Sequence, residues 1–84
     1  MNYHINLVKQ WLADKSSVTR QELKKNTDVA DRAYRNATPY NSPRPVSAYE
    51  AAYLASYAAE VGDVKTAKLW VAKYEKIVPP KKKR

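Results

Sequence analysis

The side chains of this chain that could do chemistry are basic and aromatic rather than catalytic. The 84 residues include 16 Lys and Arg, seven Tyr and two Trp, but no Cys and one His. Without Cys there is no disulfide, no Cys-ligated zinc or iron–sulfur site and no thiol nucleophile. His4 alone cannot supply a metal site or a catalytic triad, and its place near the terminus predicts a solvent-exposed ring. The sequence therefore predicts a non-enzymatic protein without metal or cofactor.

Positive charge is concentrated at the C-terminal end of the sequence. The formal net charge is +8, and residues 79–84 (Pro-Pro-Lys-Lys-Lys-Arg) hold four positive charges and no acid. The 16 basic residues less these four leave 12 against 8 acids, so half of the excess lies in this segment. We predict a flexible tail over 79–84, in which Lys81, Lys82, Lys83 and Arg84 add affinity for phosphates. A polyanion or an acidic protein is the partner that such a charge attracts.

Three tyrosines form a stripe. Tyr49, Tyr53 and Tyr57 recur every four residues, so a helix places them on one side. Such a stripe belongs either to the core or to a surface on which a partner binds or bases stack. Every aromatic residue here is Tyr or Trp, which suits interfaces as well as small cores. We therefore treat the three tyrosines as candidate partner-binding residues.

In the N-terminal half, the sequence predicts three helices. Apolar residues at helical spacing cover 3–13. Thr19 and Glu22 form a capping box that starts the next helix at residue 20. The polar run 26–28 favours a turn, and a third helix follows from residue 30 or 31 to residue 36.

In the C-terminal half, the sequence predicts a proline-rich connection and two more helices. Three prolines in 38–46 favour an extended connection. Ser47 opens a second capping box, and Gly62 ends the helix that follows. Asp63 caps a last helix over 64–78. The prediction is an all-α fold of about five short helices.

A competing interpretation of 44–57 is a short β-hairpin, the wing of a winged helix. The segment lacks the Asn-Gly or Gly pair of a tight hairpin, and its Ala content favours helix. Under either interpretation, we predict one domain over 1–78 followed by the tail. No apolar run approaches the ~20 residues of a membrane span, and the N-terminus is not that of a signal peptide. We expect a soluble, cytoplasmic protein with no membrane partner.

Residues 19–37 resemble the helix-turn-helix of small phage and prophage DNA-binding proteins. The stretch VTRQELKKNTDVADRAYRNA has T-x-x-E-L before a turn and D-R-x-x-R after it, with Asp28 where the family commonly has Gly. The resemblance implies that the second helix enters the major groove, where Arg pairs with guanine and Asn with adenine. The implied DNA-binding residues on that helix are Ala30, Asp31, Arg32, Arg35 and Asn36. Those facing phosphates from the preceding helix are Arg20, Lys24 and Lys25.

The spacing of Leu23, Val29, Tyr34 and Ala37 could dock the two helices across each other, with the helix of 3–13 closing the core. The C-terminal segment 52–79 is similar to one tetratricopeptide-like hairpin. Because one repeat cannot bury its own face, we interpret this segment as an ordinary helical hairpin.

The functional prediction is a small protein that binds double-stranded DNA, a transcription regulator or accessory factor of phage or mobile-element type. One unit of this size contacts few base pairs, so a homodimer through the tyrosine stripe or the last helix is part of the prediction. An alternative is a protein-interaction module, an inhibitor or adaptor, whose tyrosine and basic surface binds an acidic protein. A third is binding of single strands through Tyr rings interleaved with Lys. Ordinary packing of helices with charged faces would explain 19–37 without any ligand.

Overall fold

The computed structural model describes residues 2–79, and this range is built from helices without strands. Its helices are α1 (Asn2–Ala13), α2 (Arg20–Asn36), α3 (Val46–Glu60) and α4 (Val64–Ile77), with a 3₁₀ turn at Lys15–Ser17. The all-α prediction is confirmed, but four α-helices replace the five predicted. The β-hairpin alternative for 44–57 is wrong, because most of that segment is α3. The tail prediction for 80–84 lies outside the described residues.

α2 is a single helix of 17 residues where the sequence predicted two helices and a turn. The predicted turn residues Asn26 and Thr27 are 2% and 6% exposed. Thr27 Oγ1 donates to the Leu23 carbonyl at 3.0 Å, and Asn26 Nδ2 donates to Ser56 Oγ of α3 at 3.0 Å. Asn and Thr weaken helices because their side chains compete for backbone hydrogen bonds. Here the Asn26 amide has partners on other helices, and the Thr27 hydroxyl shares the Leu23 carbonyl within α2. α2 therefore continues, and the predicted helix-turn-helix lacks its turn.

The capping box at the start of α2 is confirmed. Glu22 N donates to Thr19 Oγ1 at 3.1 Å, and Thr19 N donates to Glu22 Oε1 at 2.8 Å. The second predicted box, at Ser47, does not form: α3 begins at Val46 after Pro45, and no side chain caps it. The ring of Pro45 holds its φ at −58°, which directs the chain into the helix without a capping hydroxyl.

The turn between α3 and α4 forms as predicted. Gly62 has a φ of 83°, the only positive φ in residues 2–79, and follows the end of α3. Asp63 Oδ1 then accepts from Thr66 N at 3.1 Å, which caps α4. The short connection makes α3 and α4 an antiparallel hairpin.

α3 lies between α2 and α4, which both contact it and do not contact each other. α2 and α3 are antiparallel. Asn26 of α2 pairs with Ser56 of α3, whereas Tyr34, later in α2, pairs with Tyr53, earlier in α3. α1 packs across this layer and contacts all three helices. The molecule is accordingly flat, 37 × 34 × 19 Å.

Small residues on α3 make the close packing of this layer achievable. Its buried alanines are Ala48, Ala51, Ala52, Ala55, Ala58 and Ala59. Short side chains let neighbouring helices approach closely, and the larger core residues come from the other helices. These include Ile5, Val8, Trp11, Leu23, Val71 and Tyr74. The prediction that Val29 helps to dock two helices is wrong, because its side chain is 41% exposed. Of the residues given that role, Leu23, Val29, Tyr34 and Ala37, only Leu23 is in the core.

Candidate nucleic-acid interface

α2 places most of the predicted DNA-binding residues at the surface. The exposed ones are Arg20, Lys24, Lys25, Arg32, Arg35 and Asn36. Ala30 is 2% exposed and packs in the interior, so it cannot reach a base edge in a DNA groove. Asp31 is half-buried, and its Oδ1 accepts from Arg35 Nε at 3.0 Å.

The exposed side of α2 mixes both signs of charge. At 100° per residue, Asp28 and Asp31 fall on the same side as Lys24 and Arg35. A shallow depression on this side is lined by both aspartates together with Arg32 and Arg35. The hydrogen bond and charge of Asp31 raise the pKa of the Arg35 guanidinium. A phosphate approaching α2 therefore meets two carboxylates and an arginine that already has a partner.

α4 presents a side that carries four lysines. Lys65, Lys68 and Lys76 are exposed and share one side of the helix, with Lys73 at its edge. They extend over about 16 Å of helix axis at 1.5 Å per residue. We call these four residues the α4 lysine face. It also carries Leu69, which is half-exposed, and Lys73 Nζ lies 5.3 Å from the centre of the Trp70 ring.

The one carboxylate of α4 is turned to another helix. Glu75 Oε2 lies 2.6 Å from Lys9 Nζ of α1, in an ion pair whose side chains are 31% and 48% exposed. Glu75 comes seven residues after Lys68 and so lies about 20° from it around the helix. The α4 lysine face is thus bordered by one acid, which is paired with Lys9. From residue 65 onward the sequence holds eight basic residues and this single acid. The predicted contacts Lys81, Lys82, Lys83 and Arg84 belong to that run but lie outside the described residues.

The α4 lysine face was not predicted from the sequence, because only the buried apolar side of α4 was considered. The signal was present: lysines at spacings of three, eight and eleven residues. What the sequence could not give is the direction of Glu75, which depends on where α1 packs.

The tyrosines do not act as one stripe. Tyr53 pairs with Tyr34 of α2 at 6.1 Å between ring centres and 19° between planes, and with Tyr57 at 6.4 Å and 32°. Tyr57 is 50% exposed, so this cluster of three rings reaches the surface. Tyr49 instead lines a cavity beside Arg44. The predicted set of Tyr49, Tyr53 and Tyr57 therefore divides between two places.

His4 is buried, so the prediction of a solvent-exposed ring is wrong. Its side chain is 7% exposed, and Nδ1 is hydrogen-bonded to Asn26 Oδ1. Asn26 Nδ2 donates to Ser56 Oγ, and that hydroxyl donates to the Ala52 carbonyl at 2.8 Å. Because an amide oxygen only accepts, His4 Nδ1 carries the hydrogen. Burial lowers the pKa of His4, and the Asn26 hydrogen bond opposes part of that effect.

This buried chain of hydrogen bonds joins α1, α2 and α3 and is structural rather than catalytic. Ser56 is fully buried and donates to a backbone carbonyl, so no base is placed to activate it. No buried side-chain polar atom of the described range lacks a hydrogen-bond partner. The sequence offered no signal for this network, since the three residues are far apart in the chain.

Comparison with protein-family models, with curated proteins and with solved structures finds no match to this chain. Within residues 2–79, no group of three or more His, Cys, Asp or Glu is arranged to hold a metal ion. No helix in the same range has the length and apolar character needed to cross a membrane.

Proposed function

We propose that this protein binds double-stranded DNA through the phosphate backbone, with the α4 lysine face as its principal contact. One observation carries the proposal: four lysines share one side of α4, and the only acid of that helix is bonded to Lys9. Lysine is a point charge that suits phosphates without reading bases. The binding is therefore expected to be non-enzymatic and tolerant of sequence.

The basic residues that follow α4 in the sequence add positive charge to that of the α4 lysine face. The sequence adds four positive charges at 81–84, directly after the lysines of α4. Each neutralised phosphate steepens the dependence of log affinity on log salt by about 0.9. Affinity should consequently fall steeply as salt is raised.

The finer hypothesis, that α2 reads base edges in the major groove, has weaker support. Arg32 and Asn36 are exposed one helical turn apart, as base-reading residues would be. Against it stand the uninterrupted helix, the buried Ala30 and the carboxylates of Asp28 and Asp31. We assign α2 a secondary role at most.

The test compares two triple variants that remove the same charge. Lys65→Gln, Lys68→Gln and Lys76→Gln neutralise the α4 lysine face, while Arg20→Gln, Lys24→Gln and Lys25→Gln neutralise α2. Fluorescence anisotropy with a labelled 20-bp duplex is measured at several salt concentrations. We expect the α4 variant to flatten the salt slope by about 2.7, at 0.9 per phosphate, and the α2 variant to change it far less.

Circular dichroism is the control, and it should show that both triple variants keep their helices. Equal losses from the two triples would show that binding is not localised on α4. Absence of duplex binding by the unaltered chain at low salt would remove the proposal altogether.

A second candidate is an interaction module that binds an acidic protein, and the Tyr34–Tyr53–Tyr57 cluster favours it. Half-exposed aromatic rings are enriched at protein interfaces. A pull-down with nuclease treatment separates the two functions. Capture of a defined protein that survives nuclease and is lost in Tyr57→Ser supports the module, whereas capture that disappears with the nucleic acid contradicts it.

A further inference from the structure

A cavity of about 230 Å³ lies where α1, α2, α3 and the connection between α2 and α3 meet. Three alanines form much of its wall: Ala30 and Ala33 of α2 and Ala52 of α3. Its polar lining residues are Arg44, Tyr49 and His4, and no acid lines it. Cavities that take drug-sized ligands measure about 300–1,000 Å³, so this one suits a smaller molecule.

Arg44 is held in place by its neighbours. It stands between Pro43 and Pro45, which fix their own φ angles and restrict the residue before each of them to extended backbone. The backbone that carries the guanidinium therefore has little freedom to lose when a ligand binds.

Arg44 has no carboxylate partner in the described part of the chain. The ion pairs there join Lys9 to Glu75 and Asp31 to Arg35. Arg44 is nevertheless half-buried. A partly desolvated cation interacts more strongly with an anion than an exposed one does, because the effective dielectric constant is lower. An anion entering the cavity would supply the missing counter-charge.

Tyr49 lines the same cavity as Arg44. Burial raises the pKa of Tyr74, and the positive charge of Arg44 acts against that rise while Tyr49 adds to it. A phenol O–H can donate to an anion that already pairs with a guanidinium.

We propose that this cavity binds a small organic anion, with its charged group on Arg44 and Tyr49 and its apolar body against the alanine wall. A carboxylate and a phosphate monoester share this chemistry. The site is separate from the α4 lysine face, and it does not depend on the proposed DNA binding.

The test titrates the full chain with benzoate, phenyl phosphate and neutral benzamide, followed by isothermal calorimetry and by amide NMR shifts. We expect saturable binding of at least one anion and at least tenfold weaker binding of benzamide. Arg44→Gln should weaken the anion about 10- to 100-fold, as loss of a charged hydrogen bond does. Tyr49→Phe keeps the ring and should cost about three- to tenfold. The relative affinities of benzoate and phenyl phosphate decide which anionic group the site prefers.

Two further variants serve as controls for charge and for cavity volume. Arg32→Gln removes an arginine outside the cavity and should leave affinity unchanged, while Ala33→Leu fills the cavity without altering charge and should abolish binding. No saturable binding of either anion, or equal effects of Arg44→Gln and Arg32→Gln, overturns the proposal. It is also overturned if a 20-bp duplex displaces benzoate and Arg44→Gln weakens duplex and benzoate equally, because Arg44 then belongs to the nucleic-acid surface. The α4 triple variant does not alter the cavity lining. A negative result for one proposal therefore does not contradict the other.

Discussion

Lys9 Nζ of α1 lies 2.6 Å from Glu75 Oε2 of α4, and this pair occupies the one carboxylate of α4. The packing of α1 thereby decides whether the acid that borders the α4 lysine face has a cationic partner outside α4. A carboxylate that is paired with Lys9 opposes a phosphate on the α4 lysine face less than an unpaired carboxylate would. In α2, by contrast, Asp28 and Asp31 lie among the basic residues, and the partner of Asp31 is one of those residues, Arg35.

Glu75→Gln tests this arrangement. At about 10 Å in water, one charge contributes about 0.4 kcal/mol, so we expect duplex affinity to rise about twofold at low salt. The ion pair is substantially exposed, so the free energy of unfolding should fall by less than about 1 kcal/mol. Anisotropy and urea unfolding measure the two effects. Unchanged or lower duplex affinity would indicate that the bound phosphates lie far from α4.

Protonation of His4 should destabilise the fold below neutral pH. Burial lowers the folded-state pKa of His4 below its ordinary value of 6.5, so the unfolded chain takes up the proton first. The contribution is complete above pH 6.5 and is lost as the pH falls towards the folded-state pKa, with a slope of at most about 1.4 kcal/mol per pH unit. Urea unfolding between pH 7.5 and about 5 should show this slope in the unaltered chain and not in His4→Gln. Parallel curves for the two chains would contradict the prediction.

Asn26→Ala should be among the most destabilising single substitutions. It leaves the His4 ring and the Ser56 hydroxyl without their Asn26 partner in the interior, at a cost of about 2–4 kcal/mol. The matched control, Asn36→Ala, alters an exposed residue of the same type at the end of α2 and should stay within about 0.5 kcal/mol. Urea unfolding measures both variants. A loss for Asn26→Ala no larger than that of the control would mean that the buried network adds no stability.

Asp63 should stabilise α4 as a cap, and at neutral pH the amide of Asn should replace its carboxylate with little loss. Asp63→Ala removes the hydrogen bonds to Thr66 and should lower the unfolding temperature, while Asp63→Asn should recover most of that loss at pH 7. The bonds from the Thr66 side chain and backbone lower the pKa of the Asp63 carboxyl. Its contribution is therefore present above pH 3.8 and is lost as the pH falls through the lowered pKa, whereas that of Asn is not. Thermal unfolding at pH 7 and pH 3 distinguishes the three chains, and an acid sensitivity shared by Asp63→Asn would contradict this account.

Local signals in the sequence were sufficient for most of the fold. Thr19 with Glu22 set the start of α2, and Gly62 with Asp63 set the turn between α3 and α4. These features depend on residues close in the chain, whose geometry is fixed by short-range hydrogen bonding and by φ. The same is true of the apolar spacing that placed α1 and α4, and of the basic charge of the C-terminal end.

Only the tertiary structure decided the continuity of α2 and the character of the two basic helices. Asn26 is a turn residue by its own preference, and it becomes an interior helix residue because His4 and Ser56 satisfy its amide. Glu75 is one more surface acid in the sequence, and it becomes the partner of Lys9 because α1 packs beside α4. Both outcomes arise from contacts between distant segments, which change the free energy of a side chain by more than its local preference does.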